Sequence, residues 1–388
     1  MSLYIDESFI VRTLQNMVRI DSRNPNMTQD GPGEVEIGAY LAGVLEDLGL
    51  RVRTHHLGPD RVNVVGILSG SGGGRTLMLN GHMDTVGVEE MQDPFTGEIR
   101  EGRLFGRGSQ DMKGSLAAML GAVKALIDAG SNLSGDLILA AVADEEDRSL
   151  GTRHLVQDYR AHGAIVTEPT DMEVVRAHRG LIWYQVETFG KAAHGSRYQE
   201  GVDAIARMGK FLARLADLEE EMVHRPPHPL VGPPSLHASL IQGGTDICTY
   251  AAHCKVKIDR RTVPGEQEEE VTAELQAIIQ DLATGDETFK AAVKPIMQRP
   301  PLETATDAVL LDVLGKSYLG QMGRQPQFKG EGYWSDAALL ADAGMEAVLL
   351  GPIGQGMHSP REWVSLDSVF DLARVLADTA LAYCQSQG

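Results

Sequence analysis

Cysteine is scarce in this chain of 388 residues, which has only Cys248, Cys254 and Cys384. With no Cys-x-x-Cys pair among them, a disulfide framework and the common cysteine metal or redox motifs are excluded. Long apolar runs are also missing. The longest, Leu137 to Ala143, has seven residues, against the roughly 20 that a membrane-spanning helix needs. Positive charge is in deficit, since 35 Lys+Arg face 54 Asp+Glu for a net charge of −19. A surface that acidic repels phosphate backbones and anionic lipid, so neither nucleic acid nor a membrane is an expected partner. There is no internal repeat and no low-complexity tract. The absence of a Gly-x-Ser-x-Gly elbow argues against a serine hydrolase, and the absence of His-Glu-x-x-His excludes zinc proteases of that type. The glycine-rich tract Ser69–Gly74 is not followed by Gly-Lys-Ser/Thr, which argues against a phosphate loop. It lies between two apolar runs, Val62–Leu68 and Thr76–Leu79, and predicts a flexible hairpin connection.

What is present is ordinary globular material, 43% hydrophobic and 23% charged, long enough for two or three domains at roughly 100–200 residues each. Within residues 1–20, Phe9, Ile10, Leu14, Met17 and Val18 fall at helical spacing. This predicts an amphipathic helix rather than a signal peptide. The sequons at Asn26 and Asn132 are then chance matches, and the protein is expected to be cytoplasmic, reduced and soluble.

The first half alternates strand-like and helix-like segments: strands at Thr76–Leu79, Leu137–Val142 and Ala164–Val166, helices at Met112–Ala129 and Leu150–Tyr159. Such alternation predicts an α/β fold, a doubly wound and mainly parallel sheet with helices on both faces. The middle differs. Residues 181–189, Ser235–Ile241 and Lys255–Asp259 read as strands, and Val202–Leu218 and Glu266–Leu282 as helices. That set predicts a smaller α+β domain. After residue 296 the first pattern resumes, with a strand at Ala347–Leu350 and a closing helix at Leu366–Tyr383. The expected organisation is a discontinuous main domain, 1–178 and 296–388, with an insertion at 179–295.

Five polar clusters stand out: Gly81-His82-Met83-Asp84, Gln110-Asp111-Met112, Asp144-Glu145-Glu146-Asp147, Thr167-Glu168-Pro169 and Gly356-Met357-His358-Ser359. Four of them follow strand runs. Ligands of an open parallel sheet bind beyond its carboxyl ends, so His82, Glu145, Glu168 and His358 should converge on one edge, with Asp111 joining at a helix start. Singly, each cluster has an ordinary reading: a surface or core histidine, a solvated acidic loop, a turn, or a helix start with an acid at its dipole. Jointly they are harder to dismiss. Carboxylates crowded into one cleft repel one another, and a divalent cation relieves that repulsion. Two histidines and three carboxylates are too many ligands for one tetrahedral zinc but suit two metals sharing a carboxylate. Two zinc ions bring plus four, three carboxylates and a hydroxide bring minus four, and a fourth carboxylate is left over as a base.

The order Gly81-His82-Met83-Asp84-Thr85-Val86, Gly106-Arg107-Gly108-Ser109-Gln110-Asp111-Met112-Lys113-Gly114, Asp144-Glu145-Glu146, Glu168-Pro169 and His358-Ser359-Pro360 closely resembles one family across essentially the whole chain. It is the dinuclear-zinc hydrolase family of acetylornithine deacetylase, succinyl-diaminopimelate desuccinylase, aminoacylase and glutamate carboxypeptidase. The resemblance implies a catalytic domain like that of zinc aminopeptidases, with an inserted lid and dimerisation domain. It implies two divalent metal ions per chain, zinc with cobalt as an alternative. His82 and Glu168 would hold one ion, Glu146 and His358 the other, and Asp111 would bridge them. Asp84 would orient His82, and Glu145 would carry the proton. A non-proline cis peptide is implied at Asp111–Met112.

From the inserted domain, His194 of Ala193-His194-Gly195-Ser196 would steady the oxyanion, in the family across the subunits of a homodimer. Arg261, in Asp259-Arg260-Arg261-Thr262, would bind the substrate carboxylate. Without the family, His194 reads as a hairpin-loop histidine and Arg261 as a surface strand residue. Two departures bear on side-chain preference. Thr245-Asp246-Ile247-Cys248-Thr249-Tyr250 lacks an asparagine that many relatives carry after Gly243-Gly244, and Pro352-Ile353-Gly354 replaces a more glycine-rich stretch. The expected reaction is hydrolysis of the amide of a small N-acyl amino acid. The alternatives are a carboxypeptidase or dipeptidase with the same metal pair and, from another class, a non-catalytic metal-dependent binding protein.

Overall fold

A computed structural model describes residues 3–387. Met1, Ser2 and Gly388, which the expected main domain includes, lie outside the described residues. The chain divides into two units. One runs to Arg176 and adds Thr304–Lys329 and the chain from Ser335 on; the other is Ala177–Glu303 with Gly330–Trp334. These divisions fall two residues before 178/179 and eight after 295/296, because the strand Lys290–Arg299 belongs wholly to the second unit.

The first unit is built on a mixed sheet whose centre is parallel. Leu77–His82 pairs in parallel with Leu137–Val142 on one side and Gly163–Val166 on the other, and Glu346–Leu349 extends the parallel set beyond Gly163–Val166. Val62–Leu68 and then Arg51–His56 complete one side antiparallel. The central strands are buried on both faces, which is why they read as continuous apolar runs instead of alternating. Helices cover them. Glu7–Arg19 is capped by Asp6, whose Oδ1 accepts the Phe9 N–H at 2.9 Å, and it buries Ile10, Leu14, Met17 and Val18. The helix Gly114–Asp128 is buried almost throughout, and Leu366–Gln385 closes the same core. Among the described residues no helix is long and apolar enough to cross a membrane.

The Ser69–Gly74 tract is not a hairpin connection. The strands it joins both flank Leu137–Val142 and do not pair with each other. Nor does the tract hang loose: Ser71 and Gly72 donate to the carbonyls of Leu133 and Ser134 at 2.8 and 2.7 Å. A Cβ at Gly70 would sit 2.4 Å from the Gly135 carbonyl oxygen, so glycine serves close backbone packing here rather than flexibility.

The second unit is a four-stranded antiparallel sheet, ordered Ser235–Gly243, His253–Thr262, Gly180–Phe189, Lys290–Arg299, with the helices Ala204–Val223 and Glu268–Gly285. Tyr184, Val186, Phe211, Val256 and Ile258 are among its core residues. The edge strand Lys290–Arg299 escaped sequence detection because Pro295 interrupts it, and its register shifts between Pro295 and Met297. Proline is tolerated at an edge, where it removes no ladder bond.

Candidate metal centre

The parallel register explains why residues distant in sequence meet. His82 lies opposite Val142 in the ladder, and Val166 lies opposite both Asn80 and Leu349. The segments leaving these strands therefore emerge on one edge: His82 itself, Asp144–Glu146, Glu168 and the loop to His358. The strand runs to His82 rather than stopping at Leu79, which fixes that imidazole on rigid backbone.

His82 is buried among three acidic residues. Its Nδ1 is 2.9 Å from the Asp84 carbonyl oxygen and 3.6 Å from Asp84 Oδ1, while Nε2 is 3.0 Å from Asp111 Oδ1 and 3.7 Å from Glu168 Oε1. The nearer acceptor behind the ring is thus the Asp84 main chain. The Asp84 carboxylate reaches further and accepts the backbone N–H groups of Glu145 and Glu146 at 3.1 and 3.2 Å, together with Asn24 Nδ2 at 2.8 Å. On the opposite side, His358 Nε2 is 3.3 Å from Asp111 Oδ2 and 3.2 Å from Glu146 Oε1. His82, Asp111 and Glu168 form one group whose donor atoms lie within 4.8 Å of one another; Asp111, Glu146 and His358 form a second. Asp111 belongs to both.

Asp111 is presented by an irregular turn before the helix Gly114–Asp128. The Asp111–Met112 peptide is cis, and both residues have non-helical backbone angles, so the helix begins at Gly114 instead of Met112. Gly108 enters the turn at φ 77°, and a Cβ there would lie 2.6 Å from Thr85 Cγ2. Glu362, fully buried, accepts the N–H groups of Gly108, Gln110 and Asp111 at 3.0, 2.9 and 3.0 Å and pairs with Arg107 Nη1 at 2.6 Å. Gln110 Oε1 in turn accepts the Met357 N–H at 3.0 Å and ties the His358 loop to the same turn. Lys113, buried with its Nζ on the Ile20 carbonyl at 2.9 Å, is pushed down to about 8 by burial.

The electrostatics are those of an acid cluster balanced by imidazoles. Burial, then the charges of Asp111 and Glu146, push the Glu168 carboxyl up to about 8 against the pull of His82. Burial, Glu168 and Asp336 raise Glu145 well above the carboxylate range, and burial and Asp111 raise Glu146. Burial also opposes ionisation of Asp111, but the hydrogen bonds of His358 and His82 win and hold it low. His358, bonded to Asp111 and Glu146, rises to about 10. Two carboxylates about 4 Å apart repel by roughly 4 kcal/mol at an effective dielectric of 20. A typical hydrogen bond stabilises by only about 1 kcal/mol net. An oxygen- and nitrogen-rich donor set under that strain fits divalent metals of the zinc type.

Sequence reasoning missed the supports. Glu362, Arg107, Asn24 and Asp336 are buried polar residues around the site; Arg107, inside the Gly106–Gly114 motif, and Glu362, four residues after His358, stood close enough to a motif to be found. His194 and Arg261 lie in the second unit. His194 is exposed in a loop, its Nδ1 2.8 Å from Ser196 Oγ. Arg261, on the strand His253–Thr262, directs Nε and Nη2 to Asp259 Oδ2 at 3.1 and 3.0 Å.

The family model for peptidase family M20/M25/M40 matches residues 78–382. An acetylornithine deacetylase of Myxococcus xanthus is 31% identical over 334 residues, 84% of this chain and 85% of that protein. An N-formyl-4-amino-5-aminomethyl-2-methylpyrimidine deformylase of Bacillus subtilis is 28% identical over 380 residues, 90% and 89% of the two chains. In fold, the chain is similar to a dinuclear metal-binding peptidase of the M20 family from Bacillus subtilis, at a TM-score of 0.74 and 14% identity over 97% of this chain and 98% of that one. The chain is a hydrolase that belongs to peptidase family M20/M25/M40.

Proposed function

We propose that this protein is a dinuclear metal amidohydrolase that removes the acyl group from a small N-acyl amino acid. One observation carries the reading: two donor groups, each pairing a histidine with carboxylates, share Asp111. In this reading His82 and Glu168 would hold one divalent cation and Glu146 and His358 the other, with Asp111 common to both donor groups; zinc would suit the mixed imidazole and carboxylate set, with cobalt as an alternative. When bound, such a pair acts as a Lewis acid that polarises the scissile carbonyl and lowers the pKa of an attacking water.

The chain's own residues do the rest. Asp84 orients His82 through its carbonyl oxygen and holds the Glu145–Glu146 backbone through its carboxylate. The Glu145 carboxylate takes a proton from the attacking water and delivers it to the leaving nitrogen. His194 donates to the developing oxyanion, a contact worth about 3–4 kcal/mol of barrier in comparable sites, and acts across a homodimer formed through the second unit. Arg261 binds the substrate carboxylate, for which its planar guanidinium is suited. The three cysteines are free thiols, in keeping with a reduced, cytoplasmic setting.

The similarity to a deacetylase and a deformylase favours deacylation over peptide cleavage. The metal-reconstituted enzyme should be assayed on N-acetyl-ornithine, N-succinyl-diaminopimelate, other N-acyl amino acids, and dipeptides. Turnover led by an N-acyl amino acid supports the proposal; a lead by dipeptides assigns a dipeptidase, and no turnover with zinc or cobalt assigns a binding protein.

A further inference from the structure

A second kind of metal-ligating cluster lies in the first unit, at the outer strand of the sheet, with Val62–Leu68 and Leu137–Val142 between it and the strand of His82. His55 sits on the outer strand Arg51–His56, and His154 and Asp158 lie on the helix Leu150–Asp158. Residues four apart share one helix face, so His154 and Asp158 point the same way. One ligand atom from each of His55, His154 and Asp158 lies within 4.8 Å of the others. The two imidazole centroids are 5.5 Å apart.

The scaffold holds this arrangement. His55 is opposite Asn63 in the strand ladder, and Asn63 donates through Nδ2 to the Gly151 carbonyl at 2.9 Å and accepts the Ala143 N–H at 3.0 Å. The pair of strands and the first turn of the helix are thereby locked in register. The His55 ring is held as well, with Nε2 2.8 Å from the hydroxyl of Tyr159, a buried residue at the helix end. Outer partners of this kind commonly fix a metal-binding imidazole. Burial and the adjacent His154, with a smaller push from Arg53 and against the pull of Asp158, hold His55 below the ordinary histidine range.

We propose that His55, His154 and Asp158 form a separate binding site for one divalent transition-metal ion. Two imidazoles and a single carboxylate favour zinc, nickel or copper over calcium and magnesium, which prefer all-oxygen ligands. His154 and His55 are half-buried and Asp158 is exposed, so water can complete the coordination. The ion clamps the outer strand to the helix, and because it binds the folded chain it raises the unfolding temperature as its concentration increases.

The test compares the whole enzyme with His154→Ala and Asp158→Asn variants after equilibrium dialysis against zinc, with metal counted per chain and thermal unfolding followed by circular dichroism. The expected result is about one ion per chain fewer in each variant, with loss of the zinc-dependent rise in unfolding temperature. Equal metal content in all three proteins overturns the proposal. A His82→Ala variant separates this site from the catalytic pair: it should lose metal while keeping the ion that His154→Ala lacks. If His82→Ala and His154→Ala lose the same ion, there is no separate site. A variant that fails to fold shows itself by its far-ultraviolet spectrum, and the other variant then decides.

Discussion

Glu362 Oε1 accepts the backbone N–H of Asp111 at 3.0 Å, so the carboxylate shared by the two donor groups is placed by a second carboxylate 251 residues later in the chain. The same side chain takes the Gln110 and Gly108 N–H groups and pairs with buried Arg107. Glu362 touches none of the proposed reacting atoms. It is a positioning residue for the turn that presents Asp111.

Glu362→Ala should therefore act twice. Leaving Arg107 buried without its partner costs about 3–5 kcal/mol of stability, and freeing the turn lowers metal content and turnover together. Denaturant unfolding and metal analysis of the purified variant check this. Wild-type metal content in a folded Glu362→Ala protein would remove Glu362 from the site.

Glu145→Ala should separate binding from chemistry. Glu145 is outside both donor groups, so the variant should retain the wild-type metal content while kcat falls by about 10²–10⁴-fold, the usual contribution of a general acid–base. Metal content and kcat measured on the same preparation decide it. Normal turnover would transfer the proton to another residue.

Metal uptake should release protons. Without metal, Glu168 at about 8 and His358 at about 10 both carry a proton at pH 7. A raised pKa means the proton is held more tightly, and an incoming cation must displace it. Apparent metal affinity therefore rises as pH increases from 6 toward 8 and falls on acidification. Titration calorimetry in buffers of different ionisation enthalpy should record on the order of one to two protons released per chain at pH 7. Buffer-independent heats would contradict this assignment of protons.

His194 tests the shared site. Mixed dimers of Glu145→Ala and His194→Ala, each inactive alone, should regain activity if His194 serves the partner subunit, since one site of the hybrid is then intact. Verified heterodimers with no recovery place His194 in its own subunit's site or outside the mechanism.

The buried strands were readable in the sequence because a strand covered on both faces needs a continuous apolar run, as Leu137–Val142 shows. His82, Glu145, Glu168 and His358 could be assigned to one edge because they follow such runs, and parallel pairing brings the ends of those runs together. Lys290–Arg299 was lost because its inward face is only half-buried, through Ala291 and Val293, and Pro295 and its charged residues break the apolar alternation. The hairpin expected at Ser69–Gly74 failed for a related reason: glycines that permit close backbone contact look the same in sequence as glycines that permit motion.

By itself, the sequence determined the layered α/β core and the acid-and-histidine clusters at its strand ends, because hydrophobic periodicity and side-chain chemistry are local properties. Tertiary structure alone decided that Glu362 would carry the turn beneath Asp111, that Asn24 would brace Asp84, and that His55 would face His154 and Asp158. Those relationships join residues dozens to hundreds of positions apart, and a buried polar group shows its partner only once the chain has closed around it.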